Sequence, residues 1–240
     1  MAKKITFTAK NPYGWEVYPK PFPASKALPQ WWKDESPYFK TPMNPSGKAL
    51  ILENGSSNTT FRMCTPMRDA LSGGYIIPLF SDVVVAQTGG GPRITWRTKG
   101  TAVFQQHGDT ALKVEAPAGY DAHVFKYINT WIPKTPPGYS VLVTAPFGYR
   151  NLPFHAVPAI VDADKSQLEL IPPMWVKSGF EGVVEKGTPM VQIIPFKRDN
   201  WEAEFKYFKE GEYNIIEERT FNTTIVNHYI KNVWSKKEFN

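Results

Sequence analysis

"PGYSVLVTAPFGYRNLPFHAVPAIVDAD", residues 137–164, decides the fold class. Its apolar, β-branched runs are short and are separated by Pro, Gly and Asp, the punctuation of strands and not of helices. The same pattern continues through "SQLELIPPMWV" and "FEGVVEKGTPMVQIIPFKR" as far as Arg198. Recurring strands at such intervals predict a mainly β protein, a sandwich or a barrel.

Working outward, residues 49–146 read as successive strands, with "YIIPLFSDVVVAQT" and "PRITWRTKGTAVFQQ" as the clearest pair. "TGGGPR" between them lacks the Lys-Ser/Thr of a phosphate loop and is flanked by strands, so it predicts a hairpin turn. Residues 1–48 are rich in proline, which excludes a long helix. They also hold Tyr13, Trp15, Tyr18, Phe22, Trp31, Trp32, Tyr38 and Phe39, too many rings for a disordered linker. They predict an extended arm packed on a body or on a second subunit, with at most a short helix over 25–33 broken at Pro29. Beyond Asp199, "NWEAEFKYFKEGE" and "NTTIVNHYIKNVWSKKEF" each have helical character. Asn222 or Thr223 caps the second, whose Ile225, Tyr229, Ile230, Val233 and Trp234 share one face. Three segments result: an arm (1–48), a β-rich body (49–198) and a helical extension (199–240).

The chain has 240 residues, and a chain of that length buries enough surface to fold without staples. One cysteine, Cys64, excludes an internal disulfide and suggests a reducing compartment. No charged-then-apolar leader and no apolar run near 18 residues is present, so a soluble cytoplasmic protein without membrane contact is expected. The net charge of +6 allows an anionic partner, but the lysines are dispersed apart from Lys3-Lys4 and Lys236-Lys237. A solvated surface accounts for them, and nucleic-acid binding is not expected.

From Pro136 to Arg198 the order of features resembles part of the dUTPase and dCTP-deaminase superfamily. "PPGYSVLVTAP" is similar to its strand opened by a Pro-Gly turn, "AIVDAD" to its Ile-Asp strand, and "GTPMVQ" to its glycine turn leading to a strand with glutamine. The resemblance covers about a quarter of the chain. It implies a dUTPase-like β fold, a homo-oligomer with a trimer as the family's precedent, and a catalytic carboxylate at Asp162. Asp164, Arg150, Lys165 and Gln192 are the ligand-binding candidates beside it. The Pro-rich arm, "CTPMRDALSGGYIIPLFSDV" and the β block also resemble uncharacterised proteins of tailed bacteriophages, including phages of marine cyanobacteria. That second resemblance implies a location in the infected host's cytoplasm or in the virion.

Three departures bear on chemistry. Lys165 stands where the family has an aromatic that packs on deoxyribose. "TAPFGYRNLP" lacks the phosphate-gripping Arg-Ser-Gly element, leaving Arg150 to meet an anion. The tail is rich in Lys and aromatics, not in Gly and Ser. Without a grip on triphosphate and metal there is no stabilisation of transition-state charge. A phage accessory protein that binds a partner or a small anionic ligand, a nucleotide included, without catalysis is therefore expected. No cofactor is expected, magnesium entering only with a nucleotide. The alternatives are an active nucleotide hydrolase or deaminase using Asp162 as base, and a structural virion component. For Asp162 and Asp164 themselves two readings stay open, turn-capping residues or a carboxylate pair on one strand face. His107, Asp109 and His123 have the residue types of a non-haem iron site but not its spacing. Cys64, His155 and His228 read as packed residues, and "PQWWKD" as an anchoring patch.

Overall fold

The structure, a computed structural model, describes residues 3–42, 44–50, 57–98, 100–106, 115–166, 168–209, 211–218 and 229–240. The chain divides into two compact units, each discontinuous in sequence. Met1–Ala27, Ser72–Arg198 and Phe239–Asn240 form the first; Leu28–Leu71 and Asp199–Glu238 form the second. The N-terminal aromatic segment is thus split between the two.

All fourteen strands of the described residues lie in the first unit. They are β1 (Thr6–Ala9), β2 (Phe22–Pro23), β3 (Tyr75–Pro78), β4 (Val83–Thr88), β5 (Gly91–Trp96), β6 (Phe104–Gln106) and β7 (Tyr120–Tyr127). There follow β8 (Trp131–Lys134), β9 (Tyr139–Thr144), β10 (Phe154–Ala156), β11 (Ala159–Val161), β12 (Pro173–Lys177), β13 (Gly182–Val184) and β14 (Pro189–Lys197). They build sheets of five (β11-β9-β14-β3-β2), four (β10-β12-β7-β6), three (β13-β4-β5) and two strands (β1-β8), all antiparallel. The mainly β expectation holds, and its central sheet spans the predicted 75–198.

None of these sheets closes into a barrel, which corrects the barrel alternative. The five-stranded sheet ends in the three-residue β11 on one side and the two-residue β2 on the other. Pro23 in β2 has no N–H, and strands so short do not carry the continuous ladder that closure requires.

Alternation explains the packing. In β4, Val83 and Val85 point inward while Val84 is exposed, the two-residue period of a half-buried strand. Ile77, Val141, Val143, Val191 and Ile193 of the five-stranded sheet join Phe104, Phe125, Tyr127, Phe154, Met174 and Val176 of the four-stranded sheet. With Val83, Val85 and Val184 they make one core. The "TGGG" hairpin is confirmed: Thr88 faces Gly91 across the turn. At Gly74, φ is 72° and an added Cβ would stand 2.0 Å from the Ile193 carbonyl oxygen, so only glycine lets β3 leave this turn beside β14.

Helices are short. α1 (Pro12–Val17) starts with Pro12 at its first position and Asn11 accepting from Gly14 N. A 3-10 turn (Ala24–Ala27) and α2 (Gln30–Asp34) flank the break at Pro29. Strands were expected over 49–74; where described, this stretch instead holds a 3-10 turn (Phe61–Met63) and α3 (Thr65–Ser72). Thr60 caps the turn, and Pro66 in the first helical turn precedes the good helix formers Met67, Arg68, Ala70 and Leu71. The helix expected from Asn200 onward is also displaced. Residues 200–209 are neither helix nor strand, and the helix occupies 212–218. Every side chain from 201 to 209 is exposed. Asn222, Thr223 and Ile225 lie outside the described residues; Tyr229–Val233 form one π-type turn. No helix among the described residues is long and apolar enough to cross a membrane.

Candidate functional site

Asp162 and Asp164 sit just past β11, at the corner where three strands of the five-stranded sheet end together. The register fixes their neighbours. Val161 faces Val141, so the next positions along set Asp162 beside Ser140 and Asp164 beside Gly138. On the other side of β9, Lys197 faces Tyr139, which brings Arg198 level with Gly138. Pro136 to Tyr139 form a turn closed by Tyr139 N donating to the Pro136 carbonyl at 3.2 Å. Pro137 supplies the fixed φ, and Gly138 the φ of 84° that such a turn requires.

The side chains then close on one another. Arg198 Nη1 donates to Asp164 Oδ1 at 2.8 Å, and Nη2 donates to Asp164 Oδ2, a two-pronged pair. Gly138 N also donates to Asp164 Oδ2, at 2.8 Å. Ser140 Oγ donates to Asp162 Oδ1 at 2.6 Å and accepts from Arg198 Nη1 at 2.9 Å. Arg198 Nη1 stands 3.2 Å from Asp162 Oδ1. The side chain of Asp164 is only 5% exposed, whereas that of Asp162 is 48% exposed.

These contacts set the charges. The Arg198 hydrogen bonds, helped by the Gly138 amide, hold Asp164 far below the usual carboxylate range against the cost of its desolvation. The Ser140 hydroxyl, then Arg198, hold Asp162 below that range as well. Arg198 is pushed up in turn by Asp164. One guanidinium thus serves two carboxylates, with the Lys165 ammonium also acting on Asp162.

Of the other expected site residues, Lys165 acts on Asp162 from the adjoining turn, and Gln192 lies away from this corner. Gln192 is buried in β14, four residues from Phe196, the register partner of Ser140, or roughly 13 Å along the strand. Its amide donates to the Gly73 carbonyl at 2.7 Å and its carbonyl accepts from Phe147 N at 2.8 Å. That side chain ties two loops to the sheet. Lys165 is exposed in the turn after Asp162, its amide donating to the Asp162 carbonyl at 3.0 Å. Arg150 is exposed on the connection from β9 to β10. Arg198, the residue that organises the corner, was missed; its only sequence signal is its place as the second of the two basic residues that follow "MVQIIPF".

His107, Asp109 and His228 lie outside the described residues. His123 is paired with Asp121, Nδ1 to Oδ1 at 2.6 Å. No group of three or more His, Cys, Asp or Glu side chains converges as a metal site among the described residues. His155 packs between Tyr120 and Trp175, with ring centroids at 5.1 and 6.1 Å, and burial pushes its pKa down. Trp32 of "PQWWKD" is buried, its carbonyl accepting from Arg62. Cys64 is half-buried and free. Comparisons of the chain with protein-family models, with curated proteins and with solved structures give no match.

Proposed function

We propose that this is a bacteriophage accessory protein with a dUTPase-like β fold that binds a partner or a small ligand without turning it over. It acts in the infected host's cytoplasm or in the virion, as a homo-oligomer. The observation that supports the non-catalytic reading is the closed corner around Arg198. In the superfamily that the β block resembles, the carboxylate at the place of Asp162 orients an attacking water. Here that carboxylate already accepts from Ser140 and faces Arg198, and both influences lower its basicity. A general base works best with its pKa near the operating pH, the opposite of what these partners impose. Gln192 is likewise occupied by backbone groups. Arg150 and Lys165 are both exposed and carry the positive charge that an anionic ligand requires.

The test is turnover of dUTP and dCTP with magnesium, read as pyrophosphate and ammonia release, beside a thermal-shift screen of nucleotides. The expected result is no release; a ligand at a hundred times its dissociation constant still stabilises the fold by about 2.7 kcal/mol. Release that disappears in Asp162→Asn while the melting temperature is unchanged overturns the reading and makes Asp162 catalytic.

A further inference from the structure

Among its described residues, the second unit carries a run of exposed aromatic side chains. Trp201, Phe205 and Tyr207 are 89%, 93% and 91% exposed, and Phe208 and Tyr213 are more than half exposed. Each aromatic side chain buries about 150–250 Å² when packed, so five rings at these exposures leave roughly 600–950 Å² open. Isolated soluble chains rarely expose apolar patches beyond a few hundred Å². One side of a standard interface is about 800 Å². The segment, neither helix nor strand over 201–209, has an area of the order of an interface half.

The same unit contains a cleft of about 690 Å³, within the size range of sites that take a ring-bearing ligand. Phe39, Phe61, Met63, Cys64, Pro66 and Ile230 make it largely apolar. Phe61 is 67% exposed, so the cleft is open to an incoming side chain. Rings meet an apolar cleft.

We propose that residues 201–208 are a docking arm that seats its rings in this cleft on a second copy of the chain. The proposal rests on the homo-oligomeric part of the reading above and assigns its surfaces. Because arm and cleft belong to one polypeptide, reciprocal exchange about a two-fold axis makes the contact twice and closes the assembly without exposed ends.

Light scattering on the full chain, joined to a cross-link, decides it. Cys64 lines the cleft and is the only cysteine, so Phe205→Cys creates one partner thiol on the arm. The wild type is expected at a multiple of 27.2 kDa. Mild oxidation of Phe205→Cys, with isotopically light and heavy chains mixed, is expected to give a mixed-isotope disulfide to Cys64 of the partner subunit. Trp201→Ser with Phe205→Ser, and separately Phe61→Ser on the cleft, should return the protein to monomer mass. All these side chains are exposed, so unchanged melting of dilute samples separates lost assembly from lost folding. A monomeric wild type, a disulfide within one chain, or arm variants that keep the wild-type mass each overturn the proposal. Nucleotide turnover on the same samples bears only on the non-catalytic reading, so the two fail separately.

Discussion

Residues 5–39 and 201–216 are both crowded with aromatic rings; Tyr13, Trp15 and Phe39 stay exposed in the first, but only the first buries any of its rings. In the first stretch Tyr18 and Trp32 are 7% and 1% exposed; in the second, Trp201, Phe205 and Tyr207 are about nine-tenths exposed. The difference lies in backbone anchorage. β1 pairs with β8 and β2 with β3, so the N-terminal chain is stitched into two sheets. Trp131 Nε1 donates to the Pro19 carbonyl at 3.0 Å, Lys186 Nζ to the Val17 carbonyl at 2.9 Å, and Tyr149 Oη to the Ala27 carbonyl at 2.6 Å. Tyr18 then lies 4.7 Å from Phe80, ring centre to ring centre. Within 201–212, among the described residues, the Lys206–Glu204 ion pair and the Lys209 amide bond to Glu212 are local contacts of the segment with itself. Aromatic content supplies the drive for burial, and hydrogen-bonded backbone decides which surface receives it.

That contrast can be broken at its buried end first. Trp32→Ala removes the largest fully buried side chain of the second unit and is expected to cost about 3–5 kcal/mol, read as a lower denaturation midpoint in urea. A loss under 1 kcal/mol would mean that the N-terminal rings are no better anchored than the exposed ones.

A smaller effect, confined to acid, is expected at the Arg198 corner. Asp164 and Asp162 have folded pKa values below their unfolded ones, so unfolding takes up protons as pH falls. Their stabilisation is fully present above the unfolded carboxylate pKa of about 3.9 and fades as pH falls through the lower folded values. Melting temperatures of wild type and Asp164→Asn should therefore differ most above about pH 4 and draw together in stronger acid. A constant gap down to pH 2 would remove the pair from the stability of the sheet corner.

The smallest effect belongs to the exposed end. Trp201→Ala is expected to change the stability of dilute, unassembled protein by no more than about 0.5 kcal/mol. A loss of several kcal/mol would show that the ring is packed within its own chain.

Much of this was legible before any coordinates. Short β-branched runs with Pro and Gly between them announce the sheets, because alternation at Val83–Val85 and the turn glycines are local properties of the chain. "AIVDAD" places Asp162 and Asp164 at a strand end for the same reason. What they bond to was not legible. Asp164, Gly138 and Arg198 meet because three strands share a register, and no spacing along one strand announces a partner 34 residues away. Gln192 stands out as a polar residue in an apolar strand, but its partners Gly73 and Phe147 come from loops that only the fold brings near. α3 was hidden because eight residues with a proline in the first turn carry too little periodicity to outweigh neighbouring strands. The exposed arm was misread because Trp201, Phe205 and Phe208 do have helical spacing, yet the residues around them form no helix.

The measurement closest to the central claim, that the Asp162–Asp164 corner serves structure and not catalysis, is a carboxyl-carbon NMR titration of the two aspartates in wild type and Arg198→Met. Both are predicted to titrate below the ordinary aspartate value of about 3.9, Asp164 the lower of the two, and both to rise when the guanidinium is removed. An Asp162 that titrates near neutral pH, indifferent to Arg198, would contradict the account and describe a catalytic base.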